Sequence, residues 1–332
     1  NATTGDKGHF VIGKVSGTSI SIGSTAIFLN FTLNRSGHPI YDSNAQRIVI
    51  PYIINPSGVS DRHGFAIVYK TEVAGNLTSE NYIGIANAAY ADGQKATVKT
   101  TGSIARNVPQ QPLPQALGTA VVFNEADTTD GNSVFDPDTN KIIWAGRDEG
   151  NSNYGTAIVA TIDPSDNSVS FGSKVVFNSA ASSETDITYD TNSNKVVIAW
   201  ANGTSNAQAI VGTVSGTSIS FGSAETFNAR TSKLGIAFDS NSNKVVIAYE
   251  DSSNSKHGTA IVGTVSSTSI SFGSESVFES AETGEMDIAF DSNVNKMLIV
   301  YKDSDNSSHG TAIVGTVSGT SISYGSAAVF HA

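Results

Sequence analysis

One phrase returns along the chain at near-regular intervals. GTVSGTSISFGS begins at Gly212, GTVSSTSISFGS at Gly263 and GTVSGTSISYGS at Gly315. A degenerate copy, GKVSGTSISIGS, begins at Gly13, and a weaker one, ATIDPSDNSVSFGS, begins at Ala160. Self-similarity at a period of about 50 residues restricts the chain to a propeller or another repeat array.

A second landmark keeps step with the first. It reads YDSNAQRIVIPY from Tyr41, FDPDTNKIIWAG from Phe135, YDTNSNKVVIAW from Tyr189, FDSNSNKVVIAY from Phe238 and FDSNVNKMLIVY from Phe290. Its aspartates are Asp42, Asp136, Asp190, Asp239 and Asp291, with gaps of 94, 54, 49 and 52 residues. One interval therefore carries extra material.

Each unit resolves into four short strands, here called a to d. In the unit that begins near Leu234 they are LGIAF, KVVIAY, TAIVGTV and ISFGSESVF, separated by Asn-, Ser- and Gly-rich turns. Val, Ile, Thr and aromatic runs bounded in this way are strands, and no longer stretch shows a helical period. Four strands per unit in a ring make a propeller blade. The fold class is therefore all-β: a propeller of five or six blades, six preferred, with repeats of about 52 residues. The chain opens on a c–d hairpin at 10–28 and ends on a d strand at Phe330, so one blade of a six-bladed ring would lack two strands.

Residues 1–332 are expected to form a single domain, with an inserted hairpin and Pro-rich module at 74–117. There the third strand of the first complete unit should reach its fourth within a few residues. Instead a segment intervenes with its own hairpin pattern, YIGIA and KATVKT around Asp92-Gly93, and prolines at 109, 112 and 114. Long insertions on a regular scaffold are natural carriers of specificity.

Composition limits the partners. A formal charge of −11 with only 19 basic residues disfavours a phosphate-neutralising surface, so nucleic acid is not an expected partner. No apolar run is long enough to span a membrane as a helix. Cysteine is absent, which removes disulfides and thiol chemistry. Asn1 is not an initiator methionine and no signal peptide is visible, so the chain is expected to be processed or excised from something longer.

The units GTAIVGTVSSTSISFGS, from Gly258, and FDSNSNKVVIAY, from Phe238, resemble a repeat of uncharacterised proteins from marine phages, algal viruses and planktonic microbes. The insertion NLTSENYIGIANAAYADGQKATV is similar to a module that accompanies those repeats in tail-fibre-like or particle-surface proteins. The resemblance covers most of the chain and implies an exposed propeller on a virion surface or in the extracellular space. The group offers no catalytic motif to carry over.

Three constellations bear on chemistry. Asp190, Asn192 and Asn194, and likewise Asp239, Asn241 and Asn243, have the spacing of a calcium loop. Lys195 and Lys244 stand where such a loop needs Gly, so an Asx-rich hairpin turn is the preferred reading. The residue before strand c varies from unit to unit. It is His63, Tyr154, Asn206, His257 and His309, with Lys7 in the first copy. This set is the candidate ligand-binding face. Glycosidase chemistry needs two neighbouring carboxylates, and Glu184, Asp186, Glu285 and Asp287 lie at the entries to strand a. Spacing alone picks out no pair among them. The S-x-D-x-G-x-T-W boxes of sialidase propellers are absent, and the chain has only six arginines.

The expected function is that of a non-enzymatic surface or virion structural protein that binds glycans or a host-surface receptor. No catalytic residue, metal ligand or cofactor is assigned. A glycoside hydrolase on a propeller scaffold is one alternative, and a purely structural assembly or spacer component is the other. Self-association through the incomplete N-terminal blade is a further expected contact.

Overall fold

The computed structural model describes the chain from 119 to 331 apart from 203–204. Before that it describes the strand residues 7–10, 13–16, 19–22, 26–36, 40–42, 47–54, 63–70, 85–86 and 98–99. Each blade is named below by the aspartate of its a–b turn.

In the Asp239 blade, strand a is Thr231–Asp239, strand b Lys244–Asp251 and strand c His257–Ser266, each antiparallel to the next. Strand d is broken at Gly273. Its first half, Ser269–Phe272, pairs with the end of strand c, and the start of Ser276–Asp291 pairs with the beginning of strand c. The same strand Ser276–Asp291 then runs on as strand a of the Asp291 blade. The Asp136 and Asp190 blades repeat this plan.

In the Asp42 blade, Ile40–Asp42, Arg47–Ile54 and His63–Lys70 supply a, b and c, and Val121–Asn124 pairs with His63–Lys70 as the second half of d. Within 74–117 the described residues are the paired Ile85–Ala86 and Val98–Lys99; the rest of that insertion lies outside the described residues. At the N-terminal end, Lys7–Phe10 pairs with Ala26–Ser36 and Gly13–Ser16 pairs with Ser19–Ile22, which is the c–d pattern.

Local chemistry explains the repeated phrases. Asp239 Oδ1 accepts the N–H groups of Asn241 and Ser242 at 2.9 and 3.1 Å, and its Oδ2 accepts the Ser242 hydroxyl at 2.7 Å. Asp190 and Asp136 make the same three bonds in their turns. The turn then closes through Asn140, Asn194, Asn243 and Asn295 at φ of 54–56°, a left-handed conformation that Asn tolerates. These carboxylates are committed to their own turns, as the Asx reading requires.

The middle of strand b is apolar, and in the Asp136, Asp190 and Asp239 blades it is buried because both of its faces are covered by neighbouring sheets. Val196–Ala201 is buried at every position. Between blades, one aromatic from strand d enters the next blade. Phe177 packs 5.1 Å from Trp200 and 6.0 Å from Phe221, and Phe227 packs 5.3 Å from Tyr249 and 5.7 Å from Phe272. Phe123 with Trp144 and Phe171, and Phe278 with Tyr301 and Tyr324, repeat the triad. Tilted pairs of this kind contribute about 1 kcal/mol beyond the area they bury.

Candidate active site

The inner strands of the Asp136, Asp190, Asp239 and Asp291 blades lie side by side, so their side chains converge on one surface. Each strand carries a register shift near its start, between Thr129 and Asn132, Ser183 and Asp186, Ser232 and Leu234, and Gly284 and Met286. Such bulges re-aim side chains. Asp130, Glu184 and Lys233 sit in these irregularities at φ of 49°, 47° and 48°.

The bulges build a charged rim. Lys233 Nζ lies 3.2 Å from Glu184 Oε1 and 3.5 Å from Glu285 Oε1, tying together three successive blades. Desolvation works against the Lys233 charge, but Glu184 and Glu285 outweigh it and raise its pKa above the ordinary value. Along the rim, Arg147 pairs with Asp130 at 3.3 Å and with Glu149 at 2.7 Å.

Next to the rim, the fourth residue before each turn aspartate is Asn132, Asp186, Gly235 and Asp287. Asn132 Nδ2 donates to Asp186 Oδ1 at 3.0 Å, and the Ile187 N–H donates to the same oxygen at 2.8 Å. The Ile236 N–H, from the following blade, donates to Asp186 Oδ2 at 2.9 Å. Burial raises the Asp186 pKa; these three donors oppose it, the Asp287 charge adds to it, and the net result is about 6. Burial therefore outweighs three hydrogen bonds that favour the carboxylate.

Gly235 lies between the blades of Asp186 and Asp287. A Cβ there would meet the Asp287 Cα and the Ile288 backbone nitrogen, both at 3.3 Å, so the glycine lets its strand lie close against the strand of Asp287. The group can hold a protonated carboxyl near a second carboxylate, which is the equipment of acid–base chemistry on an acetal.

The expected binding positions are not brought together. Tyr154, His257 and His309 each open strand c of their own blade, paired with Asp148, Asp251 and Asp303 of strand b. Asn206 is exposed near the start of its strand, with its N–H on the Ala229 carbonyl at 2.9 Å. His63 opens the described strand His63–Lys70, and its side chain lies outside the described residues. Strand c stands two strand spacings from strand a, about 10 Å further from the inner strands. Of the four carboxylates read from the sequence, the structure gathers Glu184, Asp186, Glu285 and Asp287 into one group. Asn132, Lys233 and Gly235 were missed, although counting four or six residues back from each turn aspartate finds them. Among the described residues no cluster suits a metal ion.

No protein-family model matches the sequence, and no curated protein matches it. Solved structures do share its fold. An intramolecular trans-sialidase from Ruminococcus gnavus, in complex with oseltamivir carboxylate, is similar with a TM-score of 0.50 at 10% identity, over 90% of this chain and 83% of that one. The structure of YjhT is similar with a TM-score of 0.52 at 8% identity, over 96% and 91%. The fold is a β-propeller.

Two expectations are corrected here: the non-enzymatic surface or virion structural protein, and with it the assignment as no enzyme. The scaffold is one that carries a trans-sialidase in the first of those structures, and these comparisons give no support to kinship with phage or viral fibres. The missing catalytic box was a poor reason to set enzymes aside. Acids carried by different blades, such as Asp186 and Asp287, come together only when the inner strands lie side by side.

Proposed function

We propose that the chain is a glycoside hydrolase on a propeller scaffold. Asp186 serves as proton donor to the leaving oxygen, and Asp287 is the partner carboxylate. The observation that carries this reading is the Asp186 carboxyl, raised to a pKa of about 6 by burial and by Asp287 on the inner strands. A carboxyl that holds its proton in mildly acidic water can donate it to a glycosidic oxygen.

The charge around the group narrows the substrate. Asp130, Glu149, Glu184, Asp186, Glu250, Glu285 and Asp287 outnumber Arg147, Lys233 and Lys302 among the described residues of the rim and acid group, and Arg147 and Lys233 are already paired with acids. A surface with an excess of one sign repels ligands of that sign. Neutral glycans, or amino-sugar glycans with positive charge, suit this surface better than sialylated or uronic ones. The extracellular setting expected from the sequence suits a polymeric substrate of that kind.

The test is release of reducing sugar from paired neutral, amino-sugar and sialylated oligosaccharides by the wild type and Asp287→Asn. Turnover of a neutral or cationic member, lost in the variant, supports the proposal. Turnover of the sialylated members alone would remove the charge argument. No turnover of any member would remove the hydrolase reading.

A further inference from the structure

Three sequence positions recur at the junctions between blades: the end of strand d in one blade, the end of strand b in the next, and the break of strand d in that next blade. At the junction of the Asp42 and Asp136 blades they hold Asn124, Asp148 and Lys174. The aligned residues are Asn178, Asn202 and Ala224, then Asn228, Asp251 and Glu275, then Glu279, Asp303 and Ala327. An amide, a carboxylate and an amine therefore share the first junction, and the other three sets lack the amine.

The three side chains close on one another. Lys174 Nζ donates to Asp148 Oδ2 at 2.8 Å and to Asn124 Oδ1 at 3.0 Å. Asn124 Nδ2 donates to Asp148 Oδ1 at 3.1 Å. One carboxylate thus touches the amine with one oxygen and the amide nitrogen with the other. The amide is held in place, because its Nδ2 also donates to Thr128 Oγ1 at 2.8 Å and its Oδ1 accepts the Ala126 N–H at 3.3 Å. Asn124 and Asp148 are 4% and 1% exposed. Lys174 is 44% exposed, so its stem is free to swing the amine from the amide oxygen to the amide carbon. A buried carboxylate in contact with an amine is a general base already in position.

We infer that Lys174 and Asn124 condense into an isopeptide bond that ties the Asp42 blade to the Asp136 blade, with Asp148 as the proton carrier. Nζ passes a proton to Asp148 Oδ2, and the electron pair so freed forms the bond to Asn124 Cγ. The carbonyl electron pair moves onto Oδ1, against the Ala126 N–H. As that pair returns, the Cγ–Nδ2 bond breaks and its electrons leave with Nδ2. Of the three Nζ protons, one stays on the new amide and two pass through Asp148 to Nδ2, which departs as ammonium. The carboxylate is regenerated, and no other reactant is consumed. The bond falls beside the insertion at 74–117, which separates the short strand Val121–Asn124 in sequence from its partner His63–Lys70. It fastens that strand to the uninterrupted blade that follows.

The intact mass of the full chain tests this. The wild type is expected to weigh about 17 Da less than its sequence, the mass of the ammonia lost. Complete trypsin digestion is expected to yield residues 107–141 joined to 148–195, because an acylated Lys174 is not cleaved. Lys174→Arg keeps a positive charge beside Asp148 but has no amine to acylate. It is expected to show the full mass and to release 107–141 as a free peptide. Asp148→Asn, which cannot carry the proton, is expected to form the bond at least about a hundredfold more slowly. A wild type that keeps its full mass through prolonged incubation would overturn the inference. A mass loss that persists in Lys174→Arg would overturn it as well, by assigning the lost ammonia to a cyclic imide at an asparagine. Bond formation at the wild-type rate in Asp148→Asn would contradict the role given to the carboxylate.

Discussion

Asp186 Oδ2 accepts the backbone N–H of Ile236 across a blade junction at 2.9 Å. The carboxyl of one inner strand thus caps the inner strand of the next, and it does so while burial and Asp287 hold its pKa at about 6. The proposed function and the packing meet on one side chain, and the two demands pull its protonation in opposite directions.

The first consequence is a dependence of stability on pH. Asp186 has a folded pKa of about 6 against an ordinary value of 3.8, so the folded state binds the proton more tightly. Stability falls as pH rises from about 4 to about 6 and then carries a constant penalty. Asp186→Asn, which cannot ionise, is expected to melt higher than wild type at pH 8, by about 2–4 °C, and to lose that advantage at pH 4. Paired calorimetric scans at the two values check it.

Gly235 lets the inner strand between Asp186 and Asp287 lie close against the Asp287 backbone. Gly235→Asn places a side chain against the Asp287 backbone, where a Cβ already stands at 3.3 Å. Turnover is expected to fall about a hundredfold through misplacement of the pair, with the blades still folded. Steady-state kinetics with far-ultraviolet circular dichroism separates the two effects.

At the c–d turn, Gly216 and Gly319 take φ of 61°, while the equivalent Ser267 takes 57°. A side chain in the left-handed region costs about 1 kcal/mol. Ser267→Gly is expected to stabilise the protein by roughly 0.5–1 kcal/mol after the added backbone entropy is counted. Denaturant titration reads the midpoint shift.

Phe227 carries the junction between the Asp190 and Asp239 blades through Tyr249 and Phe272. Phe227→Ala is expected to cost about 3–5 kcal/mol by leaving a cavity between two sheets. Phe227→Leu, which keeps most of the volume, is expected to cost less than half of that.

The blades were legible because each local device repeats. The turn of Asp239, the apolar run Val245–Tyr249 and the phrase around Gly263 each carry a period or a capping residue that acts within a few positions. The acid group was not legible in the same way. Asp186 and Asp287 are 101 residues apart in the sequence, and what joins them is the adjacency of inner strands. The bulges that turn Glu184 and Lys233 toward each other leave no mark in composition, because Asp, Glu and Lys all occupy the same left-handed position there. The variable residues before strand c, His257 and His309 among them, gave the more visible pattern. The structure places them one per blade, two strands out from the acids.

The most direct measurement is the pH–rate profile of wild type beside Asp186→Asn on a neutral oligosaccharide. Wild-type turnover should fall as pH rises through about 6, about tenfold per unit once the donor loses its proton. The Asn variant should be folded, bind the oligosaccharide and turn it over at least about a hundredfold more slowly at every pH. A variant that keeps wild-type turnover, with the same descent above pH 6, would contradict Asp186 as the proton donor.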